Sequence, residues 1–426
     1  MATLSRTILS RTPSTIISHL ADVKGKYYDA ARHSLLFTLS PPPSNDDLAS
    51  IVYSLTSFSE RSVGCISSPE PAHNQDVISC SITLLDNATT SLFRSTIPGR
   101  EMIQVGRWHS YTPKNNRETR SEEKSLDEVG WVGQDDPRES GGRVDWEVVW
   151  NQRARNSESF EDLPEGLQSI RPDTVNQILY LSDPSPEGLV STLRSRFPAA
   201  TQLGLLASST PFITGRPVTL VHNGKVYEDG AVGVAFTAPK LSSELSLRLP
   251  EAVKPLGQEM TVTRAEGNLI NTLDGANPTR LLLRAIQTAG IDSTSEAAIL
   301  FKEEEEFYLG VYGDGDVSQI YTITSGDTSR GTIALNTTRA PAIGAKVQFF
   351  RRSKRAQPYF PPCATEQRSL TFKIADSETY GEAFAEDTVV LDNMFHAASE
   401  NGFIVSRGGE IPWTCTVPGC IATVGL

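Results

Sequence analysis

Leu35-Leu36-Phe37-Thr38-Leu39 reads as a buried strand, and Val63-Gly64-Cys65-Ile66-Ser67-Ser68 as a second, shorter one that ends in small residues. Between them a Pro/Ser/Asn turn leads to Leu48, Ile51, Val52 and Leu55 at helical spacing, behind Asp46 and Asp47, which suit the first turn of a helix. Val77 to Leu85 follows as another strand-like run. The same order returns after residue 177. Ile178-Leu179-Tyr180-Leu181 is a strand, and Asp183-Pro184-Ser185-Pro186 is a turn that puts proline at a helix start. Leu189, Val190, Leu193 and Phe197 make the helical stripe, and Leu203-Gly204-Leu205-Leu206-Ala207-Ser208-Ser209 takes the place of Val63 to Ser68. Val218 to Val221, Asn223-Gly224 and Ala231 to Phe236 are expected to complete this copy as a hairpin-like pair.

Strand–helix–strand twice over predicts an α/β fold: two repeated β-α-β units forming a layered N-terminal domain, followed by a mixed α+β C-terminal domain. The expected division is an N-terminal extension and helix over 1–33, the α/β domain over 34–250, and the α+β domain over 251–426. A polar insertion at about 112–165 interrupts the first domain, yet it holds Trp131, Trp146 and Trp150. It is expected to pack on the sheet or to dock a partner.

Composition bounds the rest. The 426 residues are 38% hydrophobic, enough for about two to four globular units. Thirty-nine Lys and Arg against 51 Asp and Glu leave a formal charge of −12, which disfavours nucleic acid and anionic membrane surfaces. No apolar run approaches the roughly 20 residues that cross a bilayer. An intracellular protein of the cytoplasm or nucleus is expected. The first 21 residues hold Arg6 and Arg11 but no acid, so a mitochondrial transit peptide is the alternative to a frayed start before a helix capped near Thr12-Pro13.

From Glu259 to Gly275 the chain reads as a β-hairpin, Met260 to Thr263, a Glu266-Gly267-Asn268 turn and Leu269 to Leu273, with Asn277-Pro278 capping the next helix. Val262-Thr263-Arg264-Ala265-Glu266-Gly267-Asn268, followed by Leu273-Asp274-Gly275, resembles the signature of the FIST family (F-box and intracellular signal transduction proteins). Pro255-Leu256-Gly257, Tyr227-Glu228-Asp229-Gly230-Ala231-Val232-Gly233, the two glycine-ended strands, Gly402-Phe403 and Gly408-Gly409-Glu410-Ile411 are similar to further family motifs in the same order. Cys363-Ala364-Thr365-Glu366-Gln367 departs from the family's Cys-x-x-Arg-Gly stretch, and no F-box precedes Leu35. The resemblance implies a non-enzymatic sensory module, proposed in bacterial members to bind small ligands such as amino acids. Its alternative is a protein-recognition adaptor of ubiquitin-dependent turnover, as in an animal F-box member.

Few residues carry recognisable chemistry. The six histidines are scattered, so no metal site is expected, and no cofactor motif occurs. Tyr312 to Val317 reads as a hairpin turn rather than a calcium loop. Cys65 is either a small buried thiol or a nucleophile. Gly64 and Gly204 either open backbone N–H groups toward a crevice or allow close packing of a neighbour. Arg264 and Glu266 flank Ala265 in a strand and should share one face, where they would grip a carboxylate or lock the hairpin. The candidate ligand site, for an amino acid or small carboxylate, is therefore Gly64, Cys65, Gly204, Ala207, Ser208, Ser209, Arg264 and Glu266. A protein partner is assigned to the Trp-containing insertion.

Overall fold

The chain starts on strand β1 (Ala2–Ser10), followed by a helix at Pro13–Tyr27 that buries Ile16, Leu20 and Val23 along one stripe. Pro13 occupies the first helical position, as the sequence predicts. In this computed structural model the described residues are 2–69, 77–97, 163–237, 245–290, 306–313, 315–327, 331–352, 364–376 and 387–426. The insertion's tryptophans, its expected strand at 144–148 and Cys363 lie outside them.

Both repeated units are present. In the first, β2 (His33–Leu39) runs parallel to β3 (Ser62–Ile66), joined by the helix Asn45–Thr56. After it, β4 (Ile78–Asp86) and β5 (Thr90–Ser95) leave a tight turn in different directions. In the second unit, β6 (Gln177–Ser182) runs parallel to β7 (Thr201–Leu206) across the helix Glu187–Arg196. Three strands follow, β8 (Leu220–His222), β9 (Lys225–Tyr227) and β10 (Ala231–Phe236).

Here the structure corrects the predicted hairpin. Val218 to Val221 does not pair with Ala231 to Phe236. Asn223 and Gly224 take φ of 50° and 74°, so β8 folds onto β9, and β8 pairs with β3 of the other copy. β10 instead lies between β6 and β5. The reciprocal exchange comes from the far end of the chain, where β20 (Phe403–Ser406) and β21 (Trp413–Cys415) complete the sheet beside β7.

The C-terminal half is likewise not one α+β domain. After β11 (Ser246–Arg248), six strands close a barrel. They are β12 (Val253–Glu266), β13 (Leu269–Leu273), β14 (Phe307–Gly313), β15 (Asp316–Asp327), β16 (Thr332–Leu335) and β17 (Lys346–Arg352). The helix Pro278–Thr288 packs against the barrel, its first turn capped by Asn277 Oδ1 accepting from Arg280 N at 3.0 Å. The chain then returns to the repeat. β18 (Ala364–Ile374), β19 (Thr388–Ser399) and β22 (Ile421–Gly425) enter the first sheet, whose order is β11-β22-β18-β19-β1-β4-β2-β3-β8-β9. The second sheet is β21-β20-β7-β6-β10-β5. Residues 2–10 are thus no frayed extension but a strand inside the larger sheet.

Alternation of side chains explains the layering. Leu35, Phe37 and Leu39 pack under the two N-terminal helices, while Leu36 points the other way. Ile178 and Tyr180 pack under the helix Glu187–Arg196, while Leu179 and Leu181 join Leu36, Val63 and Leu205 in a core between the sheets. The order is helix, sheet, sheet, helix. Strands covered on both faces read as continuous apolar runs, which is why the sequence marks β2 and β6 so clearly. Cys415 and Cys420 are buried free thiols in hydrogen-bond contact. Among the described residues no helix is long and apolar enough to cross a membrane.

Candidate functional site

The two glycines share one role, and it is packing. Gly64 is opposite Phe37 in the parallel ladder, and Gly204 is opposite Tyr180. A Cβ on Gly64 would lie 2.6 Å from the Phe37 ring, and one on Gly204 would fall inside the Tyr180 ring's contact envelope. Each glycine is therefore the seat of an aromatic ring on the helix side of its sheet. Neither opens its backbone to a crevice, which corrects that expectation. Cys65 points the opposite way, into the core between the sheets, at 0% exposure. Burial, with Glu400 nearby, drives its thiol pKa far up, so the thiolate that a nucleophile needs is suppressed.

The small residues after these strands do meet. Ser68 follows β3, Ala207-Ser208-Ser209 follows β7, and Glu400-Asn401 form the turn between β19 and β20. Ser68 Oγ lies 2.9 Å from Ser208 Oγ, and Ser68 N–H donates to Ala398 O at 2.8 Å. Ser68 Oγ also donates to Glu400 Oε2, and Glu400 N–H returns a bond to Ser68 Oγ at 3.1 Å. The other carboxylate oxygen accepts Ser209 N–H at 2.7 Å, and Asn401 Nδ2 donates to Ala207 O at 2.7 Å. One carboxylate from the chain's end thus clamps the paired strand ends of both copies. Ser208 is buried and Ser209 exposed.

Partial burial pushes the Glu400 pKa up, but hydrogen bonds from Ser68, Ser209, its own N–H and Ser208 outweigh this and hold it below the ordinary carboxylate range. A carboxyl depressed in the folded state contributes stability above its unfolded pKa of about 4.3 and loses it as pH falls through the folded value. Glu400→Gln is therefore expected to cost about 1 kcal/mol at pH 7, a modest figure because the side chain is only partly buried. Urea midpoints should show the gap between variant and wild type closing below about pH 4. A gap that persists unchanged at pH 3 would contradict the clamp.

Beside the clamp, at the carboxyl ends of β6 and β7, lies a cavity of about 790 Å³. Ligands commonly sit at this edge of α/β sheets. One wall is the solvent-facing side of the helix Glu187–Arg196, with Glu187, Ser191 and Arg194. Asn401 and Ile404 form the floor, and Asn336, Thr337 and Thr338 of the barrel face them. Asn401 thus belongs to clamp and cavity together. Burial raises the Glu187 pKa, its own N–H opposes this and Asp183 adds to the rise. Its Oε2 is buried without a hydrogen-bond partner among the described residues.

The structure brings Ala207, Ser208 and Ser209 into the clamp, not among the residues that line the cavity, and leaves Arg264 and Glu266 elsewhere. These two are exposed on β12 of the barrel, flanking a partly buried Ala265, and the ladder to β13 shifts register between Arg264 and Ala265. No hydrogen bond or ion pair joins either to the serines among the described residues. The hairpin is locked by other groups. Asp274, at φ 49°, exchanges bonds with Thr261, accepting Thr261 N–H on Oδ1 at 2.9 Å and donating its own N–H to Thr261 O at 2.9 Å. The cavity residues missed by sequence reading are Glu187, Arg194, Asn336, Thr337, Thr338 and Asn401. Glu187 and Arg194 stand seven residues apart on one helix, a spacing visible in the sequence. Asn336 and Asn401 carry no local signal.

The fold is thus a duplicated helix–sheet–sheet–helix sandwich with an inserted barrel and a crevice at its strand ends. A family model described as the FIST N domain matches residues 34–276, which run from β2 through both repeated units to the end of the β12–β13 hairpin. The chain belongs to this family of signalling and sensor domains. A separate C-terminal FIST domain was not detected over the remainder. No curated protein and no solved structure matched the chain.

Proposed function

We propose that this protein is an intracellular, non-enzymatic sensory module whose small-molecule site is the cavity between the helix Glu187–Arg196, the β20–β21 arm and the barrel. The observation that carries this reading is the cavity itself. Its volume of about 790 Å³ suits a small-molecule site, and four separate stretches of chain line it, 184–198, Leu206, 336–338 and 401–416. A ligand there touches Asn401, and through it the clamp that ties both copies to the C-terminal segment. Occupancy would stiffen that junction, a physical route from binding to signal. The adaptor reading rests on the insertion, of which 112–162 lie outside the described residues.

The test is a thermal-shift screen of chemically mixed small molecules on wild type and on two cavity-filling variants, Ser191→Trp and Thr338→Trp, from opposite walls. At least one compound should raise the wild-type Tm by about 2 °C or more and leave both variants unmoved. Compounds that stabilise the filled variants equally well would place the site elsewhere.

A further inference from the structure

We infer that the cavity recognises a short zwitterionic peptide of about three residues, its ammonium at Glu187 and its carboxylate at Arg194, rather than a free amino acid; the inference rests on the cavity being the ligand site.

Charge spacing carries the argument. Glu187 and Arg194 both line the cavity from one helix. Seven residues are nearly two full turns, so the two side chains leave the same face roughly 10 Å apart along the axis. An extended chain advances about 3.4 Å per residue, so a tripeptide places its terminal charges at that separation. A single amino acid holds both charges on one Cα and reaches one pole only. Neither charged group has an ion-pair partner among the described residues.

Chemistry along the walls agrees. Among the described residues the lining contains no aromatic side chain and one cation, so it offers neither a stacking platform for a base nor a phosphate clamp. It does offer amide and hydroxyl groups between the poles. Asn401 and Asn336 spend their NH2 groups on Ala207 O and Thr416 Oγ1, at 2.7 Å and 3.3 Å. Their carboxamide oxygens remain as acceptors for peptide N–H groups. Val190, Leu206 and Ile404 are buried apolar surface for small side chains.

The experiment is a calorimetric titration of the full chain with trialanine, alanine, N-acetyl-trialanine and trialanine amide. Trialanine should bind, and alanine and each capped tripeptide should bind about tenfold or more weakly. Glu187→Gln should erase the penalty for acetylation but keep that for amidation, and Arg194→Gln the reverse. Both substitutions are at partly or fully exposed helix positions, and a thermal melt checks that each variant folds. If N-acetyl-trialanine binds as well as trialanine, the site reads a chain terminus and the zwitterion assignment is overturned. It is equally overturned if alanine binds as tightly. If no peptide binds while another compound does so in wild type but not in Ser191→Trp, the peptide class fails and the cavity reading stands. If nothing binds, both fail.

Discussion

Deleting residues 2–10 is expected to leave a chain that does not fold. β1 lies between β4 and β19, antiparallel to both, and so joins the first repeated unit to the returning C-terminal segment. Without it two buried strands face each other with unpaired backbone groups, each costly away from water. Ile8 is at 0% exposure and Leu9 at 2%. Thr7 Oγ1 lies 2.8 Å from Ser81 Oγ, accepts His396 N–H at 2.9 Å and reaches Met394 O at 2.9 Å. The strand therefore brings both apolar contact and a polar link across three strands. Soluble yield and far-UV dichroism should collapse in the deletion. Ile8→Ala, which keeps the backbone, should remain folded and cost about 3 kcal/mol in urea unfolding. A deletion that melts at the wild-type temperature would overturn the assignment. A leader cleaved beyond residue 10 would remove this strand, so the transit-peptide reading of the first residues meets a physical cost.

Gly204→Ala should lower stability by about 3 kcal/mol, the upper end for a single added methyl in a packed core. The Tyr180 ring occupies the space above Gly204, and neither backbone can retreat because β6 and β7 are paired along their whole length. Tyr180→Leu alone should also destabilise, by loss of a fully buried ring. The two together should cost clearly less than their sum, a coupling of at least 1 kcal/mol. Tyr180→Phe should be neutral or stabilising, because the phenolic oxygen is buried without a hydrogen-bond partner among the described residues. Gly64→Ala against Phe37 should repeat the pattern more weakly, since the clash there is milder. Additive effects at 180 and 204 would show that the glycine has some other purpose.

These two predictions mark the boundary of what local sequence carries. The buried runs of β2 and β6, the helical stripes at 48–55 and 189–197, the Asn277-Pro278 cap and the small residues after β3 and β7 are all legible, because each is a property of adjacent residues. The paired glycines are visible too, but not their purpose. A glycine in a strand fits a crevice or a ring equally well until its cross-strand neighbour is known. Residues 2–10 were misleading for a different reason. Ser and Thr on β1 look like a polar tail in sequence, whereas in the sheet their hydroxyls bond to neighbouring strands.

Sequence by itself determined the duplication, the α/β class and the hairpin signature, since periodicity and turn chemistry act over a few residues. Only the tertiary structure decided that the two copies exchange flanking strands, that the chain's end returns to both sheets, and that Glu400 clamps Ser68 to Ser209. It also decided that Glu187 and Asn401, 214 positions apart by their numbers, share one cavity wall and floor. Strand pairing depends on which edges remain unsatisfied once nearer partners have docked, and that competition is settled across the whole chain rather than within any stretch of it.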